Sequence, residues 1–288
     1  MQKMKIIQYN NHSVQHFDYE ELGIQGVGVN RTPIINMDKF IDHSYDDELN
    51  AECYSGLALC EGNYKMGMFW GDLPPEEEQR LNGKSWTTIL ANIEEHDPTG
   101  IHRQAIDNIL QQNGGKKAIY RYIYFAMGGV IPWFFGLYLK ENHFATKTKN
   151  GKYNEEVVKY FPKLLDYLES LPFKDIGRVL FFTTYPSAGV ATHRDANMAP
   201  HKDHNINLFF SSGRRPSFIW DEKIKQKHYL EDSARSYFFN NRDHHGVDPE
   251  PRFRYTLRVD GTFTDELCDQ LGLIDGYTWH PDYIGKIS

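Results

Sequence analysis

The chain carries no excess of positive charge, and this absence excludes several kinds of partner. Lys and Arg together number 32, Asp and Glu number 39, and the net charge is -7 at pH 7. A nucleic-acid-binding domain needs a basic patch or stripe, whereas the basic residues here are scattered. We therefore expect no nucleic-acid partner and no other strongly charged partner.

Cysteine is scarce as well. The three cysteines, Cys53, Cys60 and Cys268, are odd in number and form no Cys-x-x-Cys pair. Free thiols in a reducing compartment fit this pattern better than a disulfide framework does. The N-terminal segment also lacks the apolar run of a signal peptide. We expect a cytoplasmic protein, and the sequence contains no indicator of its oligomeric state.

Long apolar runs are absent, with one exception. Residues 122–139 carry no charge and approach the length of a membrane span. Gly128, Gly129 and Pro132 interrupt this run, and its aromatic residues favour strands. We therefore predict two buried strands, or a strand and a short helix, and no membrane span.

The apolar and aromatic content is high enough for a β-rich core. Hydrophobic residues make up 40% of the chain and aromatic residues 14%. Residues 1–75 are interpreted as a strand-and-loop extension packed on the core. Residues 76–288 are predicted to combine helices with that core in one integrated domain. Helices are expected from Pro75 to about residue 95, over 101–112, and from Pro162 to 171.

From residue 176 onward, the residue pattern changes to the two-residue period of strands. Strands are predicted to begin at Arg178, Asn205, Ser217, Ser236 and Arg252. Short strands separated by turns are typical of a sandwich or a barrel. With the helices packed outside it, the predicted fold is mainly β with flanking helices, a double-stranded β-helix (jelly roll) of the cupin type.

Two histidines and one aspartate in this β-rich half have the order of a metal site. His193 and Asp195 share one face of a strand, because side chains repeat every two residues. His245 follows after several further strands. Two imidazoles and one carboxylate can hold a ferrous ion on one face and leave the opposite face open. These three residues are therefore candidate metal ligands.

Alternatives to this ligand set remain open. His244 competes with His245, which is favoured because the Gly-Val that follows it resembles the pattern of known metal sites. His201 and Asp203 form a second His-x-Asp pair, but this pair leaves little loop before the next predicted strand. Ordinary loop histidines also produce such pairs by chance, since the chain has 13 histidines.

An arginine and a threonine follow on one face of the last predicted strand. Arg254 and Thr256 can bind a carboxylate through two parallel hydrogen bonds and a third from the hydroxyl. A 2-oxo acid that chelates iron at one end and has a carboxylate at the other would bridge the two sites, and 2-oxoglutarate is such a molecule. Asn205 and Asn207 are further candidates for its carboxylates, with a solvent-facing strand as the alternative.

Two more residues are candidates for substrate contact. Arg258 lies on the same nominal face as Arg252 and Arg254, where three arginines cannot all be buried without partners. Arg258 is expected to meet the substrate or an acid such as Asp260, or else to lie with Arg252 at an exposed strand end. Trp220 is expected in the core or in the wall of the substrate pocket.

These segments resemble the iron(II)/2-oxoglutarate-dependent oxygenases, in particular the branch of aspartyl/asparaginyl β-hydroxylases and proline hydroxylases. The similarity covers about residues 160–265. It is carried by residues 176–195, by residues 237–247 and by the Arg254-Tyr-Thr motif.

The resemblance implies iron(II) on His193, Asp195 and His245, and 2-oxoglutarate on Arg254 and Thr256. With O2, such an enzyme hydroxylates an unactivated C–H bond of an amino acid or a peptide residue, and succinate and CO2 are the co-products. The retained aspartate favours hydroxylation or desaturation over halogenation. A redox-silent cupin-type isomerase or hydrolase, and a non-catalytic jelly-roll binding protein, are the alternatives.

Overall fold

The computed structural model describes residues 5–9, 12–16, 23–60, 100–115, 118–119, 122, 134–139, 153, 155–184, 189–195, 203–210, 216–249 and 254–279. For residues 5–9, 12–16 and 134–139, and for Glu156, Thr183, Thr184 and Arg254, it describes the backbone alone. The predicted helix from Pro75, and also Gly128, Gly129, Pro132, His201 and Arg252, lie outside the described residues.

Most regular elements in the described part of the chain are strands. They are β1 (Lys5–Tyr9), β2 (His12–His16), β3 (Ile34–Asn36), β4 (Phe134–Leu139), β5 (Phe173–Thr184), β6 (Val190–His193), β7 (His204–Leu208), β8 (Ser217–Asp221), β9 (Gln226–Tyr229), β10 (Ser236–Phe239), β11 (His245–Val247) and β12 (Arg254–Phe263).

The α-helices are shorter and fewer. They are α1 (Asp46–Leu59), α2 (Ile101–Gln111), α3 (Glu155–Tyr160), α4 (Pro162–Ser170) and α5 (Asp265–Gln270), with 3-10 turns at Asp38–Phe40 and Ile274–Gly276. Among the described residues, no helix combines the length and the apolar character that a membrane crossing requires.

The strands form two larger sheets and one hairpin. A six-stranded sheet has the order β3-β10-β7-β12-β5-β4, a four-stranded sheet has the order β6-β11-β8-β9, and β1 pairs with β2. From β5 to β12 the chain crosses repeatedly between the two larger sheets. The antiparallel pairs are nested, because β8 pairs with β9, β7 with β10, β6 with β11 and β5 with β12. This winding is that of a double-stranded jelly roll. The prediction of a mainly β jelly roll with flanking helices is confirmed.

Alternate side chains of β12 point to opposite faces of the six-stranded sheet, one apolar and one polar. Tyr255, Leu257 and Val259 point to one face of the six-stranded sheet and join the large apolar core with the helices. Thr256 and Arg258 alternate with them and are also buried, at 1% and 3% exposure, on the opposite face. The helical side of this sheet is therefore apolar, and its inner side carries buried polar groups.

The helices cover the apolar face through aromatic contacts. The ring of Tyr255 packs edge-on against Tyr54 of α1 at 5.5 Å, and its hydroxyl donates to Asn50 Oδ1 at 2.5 Å. Phe181 of β5 meets Phe161 at 5.8 Å, directly before α4. Such aromatic pairs contribute about 1 kcal/mol each beyond the burial of their surface.

A smaller apolar cluster fills the space between the two sheets. Ile219 of the four-stranded sheet belongs to it together with Tyr237 and Phe239 of the six-stranded sheet. The Tyr237 hydroxyl also donates to Ser217 Oγ at 3.1 Å. This cluster holds the two sheets face to face beside the polar interior.

Helix α1 corrects the interpretation of residues 1–75 as strand and loop. Twelve of its 14 residues are buried. A helix that is buried on nearly every side has no polar face, so the amphipathic period that marks surface helices is missing. Its acidic first turn, Asp46-Asp47-Glu48, was the available sequence signal.

A carboxylate from α1 caps α4. Glu52 is 7% exposed and accepts hydrogen bonds from the backbone N–H groups of Lys163 at 3.1 Å and Leu164 at 2.7 Å. Burial raises the pKa of Glu52, and the two backbone hydrogen bonds oppose that rise. The residue before α4 supplies no side-chain cap, so Glu52 provides this cap from another helix.

We expect Glu52→Ala to lower the free energy of unfolding by about 2 kcal/mol, because it leaves the buried N–H of Leu164 and the partly buried N–H of Lys163 without this acceptor. Glu48→Ala is the matched control on the same helix. Glu48 pairs with Lys163 at 2.5 Å, but both side chains are more than half exposed, so we expect a loss within about 0.5 kcal/mol. Urea unfolding measures both values, and equal losses would contradict the capping role.

Candidate metal centre

The pairing of β6 with β11 brings the two predicted histidines together. His245 is the direct cross-strand partner of His193, and their ring centroids lie 4.5 Å apart. Direct partners in an antiparallel pair project to the same face of the sheet. Asp195 lies two residues past His193, and its backbone N–H donates to Asn241 O at 3.2 Å. Asp195 is thereby held beside both imidazoles.

The three side chains converge on a single point. The Oδ1 atom of Asp195 is 3.4 Å from Nε2 of His193 and 3.4 Å from Nε2 of His245. Donors that each lie about 2.1 Å from a common ion are roughly 3.0–3.5 Å from one another. Among the described residues, one group of side chains could hold a metal ion, and it consists of His193, Asp195 and His245. The spacing fits one transition-metal ion.

Hydrogen bonds to the backbone select the tautomer that such an ion needs. His193 Nδ1 donates to Ala191 O at 2.8 Å, and His245 Nδ1 donates to Asp243 O at 2.9 Å. With Nδ1 protonated, the neutral ring presents an Nε2 lone pair. In this neutral form, two lone pairs and a carboxylate oxygen face one another and can bind a cation, whereas without an ion a proton on either Nε2 can be shared with Asp195.

The turn before His245 is itself anchored. The Asp243 carboxylate is fully buried and accepts hydrogen bonds from the N–H groups of Gln25 and Gly26, each at 2.7 Å. Burial raises the pKa of Asp243 to about 6, against the pull of these two bonds. The backbone of Gln25 and Gly26 thus holds the loop that positions His245.

Glycine is required at the position after His245. A Cβ on Gly246 would lie 2.7 Å from the Phe218 ring and 2.7 Å from Val190 O. Any larger residue would push β11 away from both of its neighbours, β6 and β8. The His-Gly-Val order noticed in the sequence therefore has a steric cause.

The charge state of Asp195 is set by its neighbours. Burial opposes its ionisation, but hydrogen bonds from His193 and His245 and the charge of Arg258 hold the pKa of Asp195 far below its usual range. The hydrogen bond to Asp195 in turn raises the pKa of His193, while burial lowers it. These neighbours therefore favour the ionised form of the aspartate.

Arg258 joins this centre to a buried ion-pair chain. Its Nη1 lies 3.1 Å from Asp195 Oδ2, and its Nε donates to Asp260 Oδ1 at 2.6 Å. Asp260 is fully buried and also accepts from Arg178 at 2.7 Å. Burial works against the charge of Arg258, but Asp260 and Asp195 raise its pKa above the ordinary value. An exposed strand end, one of the alternatives for Arg258, is wrong.

Thr256 lies on the same inner face as Arg258, and its Oγ1 is buried with no hydrogen-bond partner among the residues that the structure describes. One nitrogen of Arg258, Nη2, is also buried and unpaired. Arg254 begins β12, and its side chain is outside what the structure describes. Both unpaired atoms belong to the inner face of the strand that was predicted to bind a co-substrate.

Asn205 and Asn207 are buried on the neighbouring strand β7, so a solvent-facing strand is wrong. Asn207 is the cross-strand partner of Arg258. Asn207 Nδ2 donates to Asn205 Oδ1 at 2.8 Å, and Asn205 Nδ2 donates to Phe239 O at 2.9 Å. Their contact with a ligand stays a prediction.

Trp220 is not on the face of β8 that meets the histidines. Its neighbour Ile219 is the cross-strand partner of His245, so Trp220 points to the other face. Its side chain is partly buried, and its Nε1 donates to Glu222. A role for Trp220 in substrate contact stays a prediction without a supporting contact in the described residues.

The alternative ligands have other surroundings. His244 precedes His245 in the chain, its carbonyl accepts from Trp220 N at 2.7 Å, and burial lowers the pKa of its imidazole. Asp203 has a pKa raised by burial, and it does not belong to the described cluster. Its proposed partner, His201, lies outside the described residues.

A second cluster has the residue types of a hydrolase triad. His43 lies 3.3 Å from Ser236 Oγ through Nε2 and 3.0 Å from Asp46 through Nδ1. Ser236 is fully buried, and its hydroxyl donates to Asp38 at 2.7 Å. A serine without access to a substrate is not a nucleophile, so this network ties β10 to the helical layer.

The fold and the cluster define a jelly-roll protein with a candidate metal centre of two imidazoles and one carboxylate. No protein-family model matches the chain, and no curated protein sequence matches it.

Several solved structures are similar over part of the fold. A Pseudomonas putida prolyl-4-hydroxylase is 17% identical with a TM-score of 0.27, and the alignment covers 41% of this chain and 70% of that one. AviO1 from Streptomyces viridochromogenes Tue57 is 12% identical, with a TM-score of 0.31 and coverages of 75% and 96%. A viral collagen prolyl hydroxylase from Paramecium Bursaria Chlorella virus-1, in a complex with 2OG, is 14% identical, with a TM-score of 0.24 and coverages of 39% and 75%. With identities and TM-scores this low, these likenesses assign no function to this chain.

Replacing either histidine should abolish tight metal binding. We expect His193→Ala and His245→Ala to weaken Co(II) binding by more than about 100-fold, because two remaining donors cannot enclose the ion. His244→Ala is the control, since its side chain is outside the cluster. Anaerobic calorimetric titration measures all three variants, and a loss with His244→Ala but not with His245→Ala would reverse the assignment.

Proposed function

We propose that this protein is an iron(II)- and 2-oxoglutarate-dependent dioxygenase. The observation that carries the proposal is the convergence of His193, Asp195 and His245 beside the unpaired buried Thr256 Oγ1 and Arg258 Nη2. A site with two imidazoles, one carboxylate and open positions is typical of non-haem iron(II) oxygenases. Unpaired buried donors beside such a site call for an anionic ligand.

The charges around the cluster support a dianionic co-substrate. Asp195, Arg258, Asp260 and Arg178 form a chain of two anions and two cations that cancel. A divalent ion bound by neutral histidines therefore adds two positive charges that these groups do not balance. The dicarboxylate 2-oxoglutarate supplies two negative charges.

The roles of the residues follow from their positions. His193 and His245 would bind iron through Nε2 and Asp195 through an oxygen, leaving the opposite face for the co-substrate and O2. Arg254 and Thr256 would hold the distal carboxylate of 2-oxoglutarate. When bound, iron and 2-oxoglutarate supply the oxidising chemistry, in which 2-oxoglutarate and O2 become succinate and CO2 as a substrate C–H bond is hydroxylated.

The substrate would approach from the more exposed side of the centre. The side chains of His193 and Asp195 are 42% and 31% exposed, whereas that of His245 is only 12% exposed. Together with the resemblance to aspartyl/asparaginyl and proline hydroxylases, this opening supports an amino acid or a peptide residue as the substrate.

Two other functions would use the same fold. A redox-silent isomerase or hydrolase would need the metal but no carboxylate clamp, and a binding protein would need neither. The retained ligand set and the buried unpaired donors on β12 favour the oxygenase over both.

An anaerobic titration distinguishes these functions. We expect Fe(II) plus 2-oxoglutarate to produce a visible charge-transfer absorption, and aerobic incubation with amino acids or peptides to release succinate. Arg254→Ala should weaken 2-oxoglutarate binding by at least about tenfold, because a charge-assisted pair of hydrogen bonds is lost. His244→Ala should leave it unchanged. A protein that binds Fe(II) tightly but shows neither absorption nor 2-oxoglutarate binding would contradict the oxygenase.

Thr256→Val gives a second, independent result. The change keeps the shape of the side chain and removes a buried hydroxyl that has no partner in the described residues. We expect the free energy of unfolding without ligand to stay the same or rise by up to about 1 kcal/mol. Binding of 2-oxoglutarate should weaken roughly five- to tenfold, measured by calorimetry. A less stable variant with unchanged affinity would show that the hydroxyl serves the fold.

A further inference from the structure

The two oxygens of Asp195 have different partners. Oδ1 faces both histidine Nε2 atoms at 3.4 Å. Oδ2 is 3.1 Å from Arg258 Nη1. A carboxylate whose second oxygen is held by a guanidinium is oriented to offer a single oxygen to an ion.

We propose that Arg258 is a positioning residue that makes Asp195 a one-oxygen ligand of the metal, and that its Nη2 receives an oxygen of an anionic ligand bound to the ion. The first part depends only on the metal centre. The second part rests on the proposed function, because 2-oxoglutarate is the anion expected there. Arg258 would in this way couple metal binding to binding of the co-substrate.

Arg258 is rigid enough for such a role. Its side chain is 4% exposed, and its Nε donates to the fully buried Asp260 at 2.6 Å. Asp260 is fixed in turn by Arg178 at 2.7 Å. The rings of Phe182 and Phe239 flank the guanidinium at 5.9 and 5.8 Å. With its orientation set by Asp260, the planar group presents both terminal nitrogens in fixed directions.

The unpaired nitrogen is the observation that points to a ligand. Nη2 of Arg258 is buried and makes no hydrogen bond within the described part of the chain, although the group is charged. Buried donors on charged groups are almost always paired. Nη1 of the same guanidinium already contacts Asp195, so an oxygen bound at Nη2 would lie beside the metal ligand. Thr256 Oγ1, two residues away on the same face, is unpaired as well.

The arrangement would also keep coordination positions free on a bound ion. If Oδ2 were released, Asp195 would be free to bind the ion through both oxygens. It would then occupy a coordination position that a chelating 2-oxo acid needs. A lysine at position 258 would supply the charge, but its single nitrogen cannot contact Asp195, Asp260 and a ligand in the same fixed plane.

The test compares Arg258→Gln with Arg178→Gln, using Co(II) as a spectroscopic probe of the intact protein. Both arginines contact Asp260, but only Arg258 contacts Asp195 in the described structure. With Co(II) alone, we expect Arg258→Gln to change the intensity of the visible Co(II) absorption and to weaken binding by at least about tenfold. Arg178→Gln acts only indirectly, and its amide can still donate to Asp260, so its spectrum should stay closer to the wild type than that of Arg258→Gln. Identical spectra for wild type and Arg258→Gln would overturn the positioning role.

A second arm adds 2-oxoglutarate to the Co(II)-loaded proteins. We expect its dissociation constant to rise at least about tenfold in Arg258→Gln and by clearly less in Arg178→Gln. Unchanged affinity in Arg258→Gln would overturn the role of Nη2. If the wild type does not bind 2-oxoglutarate, the proposed function and the role of Nη2 both fail, whereas the Co(II) spectra still decide the positioning of Asp195.

Two further variants guard against a folding defect. Arg258→Lys keeps the buried charge, and Asp260→Asn loosens the anchor of Arg258 without changing Arg258 itself. Arg258→Lys should unfold at a temperature close to the wild type, whereas Asp260→Asn should be less stable, because it removes the buried anion that Arg258 and Arg178 share, and it is measured at a temperature at which it is folded. Both should show the altered Co(II) spectrum, because neither retains the fixed guanidinium. A wild-type spectrum in both variants would leave Arg258 with a structural role only and would overturn the proposal.

Discussion

The antiparallel register between β6 and β11 is the constraint on which the candidate centre depends. It sets His193 opposite His245, and the bond from Asp195 N to Asn241 O continues the contact beyond the strand. A shift of one residue would turn either histidine to the other face of the sheet. Gly246 and the pairing of β11 with β8 hold β11 against its neighbours, so the site is positioned by backbone contacts before any ion binds.

The two faces of the six-stranded sheet carry different tasks. Alternate residues of β12 either pack on the helices or enter the polar interior. One face of this strand therefore stabilises the fold, and the other face carries the polar groups beside the candidate centre. Buried charges are costly unless they are paired, and Asp260 pairs with both Arg258 and Arg178. The unpaired groups on the same strand, Thr256 Oγ1 and Arg258 Nη2, stand out against this pairing.

The sequence predicts the jelly roll and the convergence of His193, Asp195 and His245, because both follow from two-residue alternation and strand order. It does not predict α1, which is buried on nearly every side and so lacks a polar face. Nor does it predict that Arg258 is buried, since its partner Asp195 lies far away in the chain, as does Arg178, which shares Asp260 with it. A residue pattern shows which side chains share one face of a strand. It does not show which residues of two distant strands lie opposite each other, and contacts between distant segments depend on that register.

The nested strand order has a consequence for how the chain folds. The turn between Asp221 and Gln226 closes the shortest loop, and each outer pair joins segments further apart, up to Phe173 with Phe263. Loop closure costs less entropy when inner pairs form first. We therefore expect zippering outward from the β8–β9 hairpin, and slow folding, because long-range pairs dominate. On this route the histidines meet at an intermediate stage, and β12 closes over them last with the arginine that faces the centre.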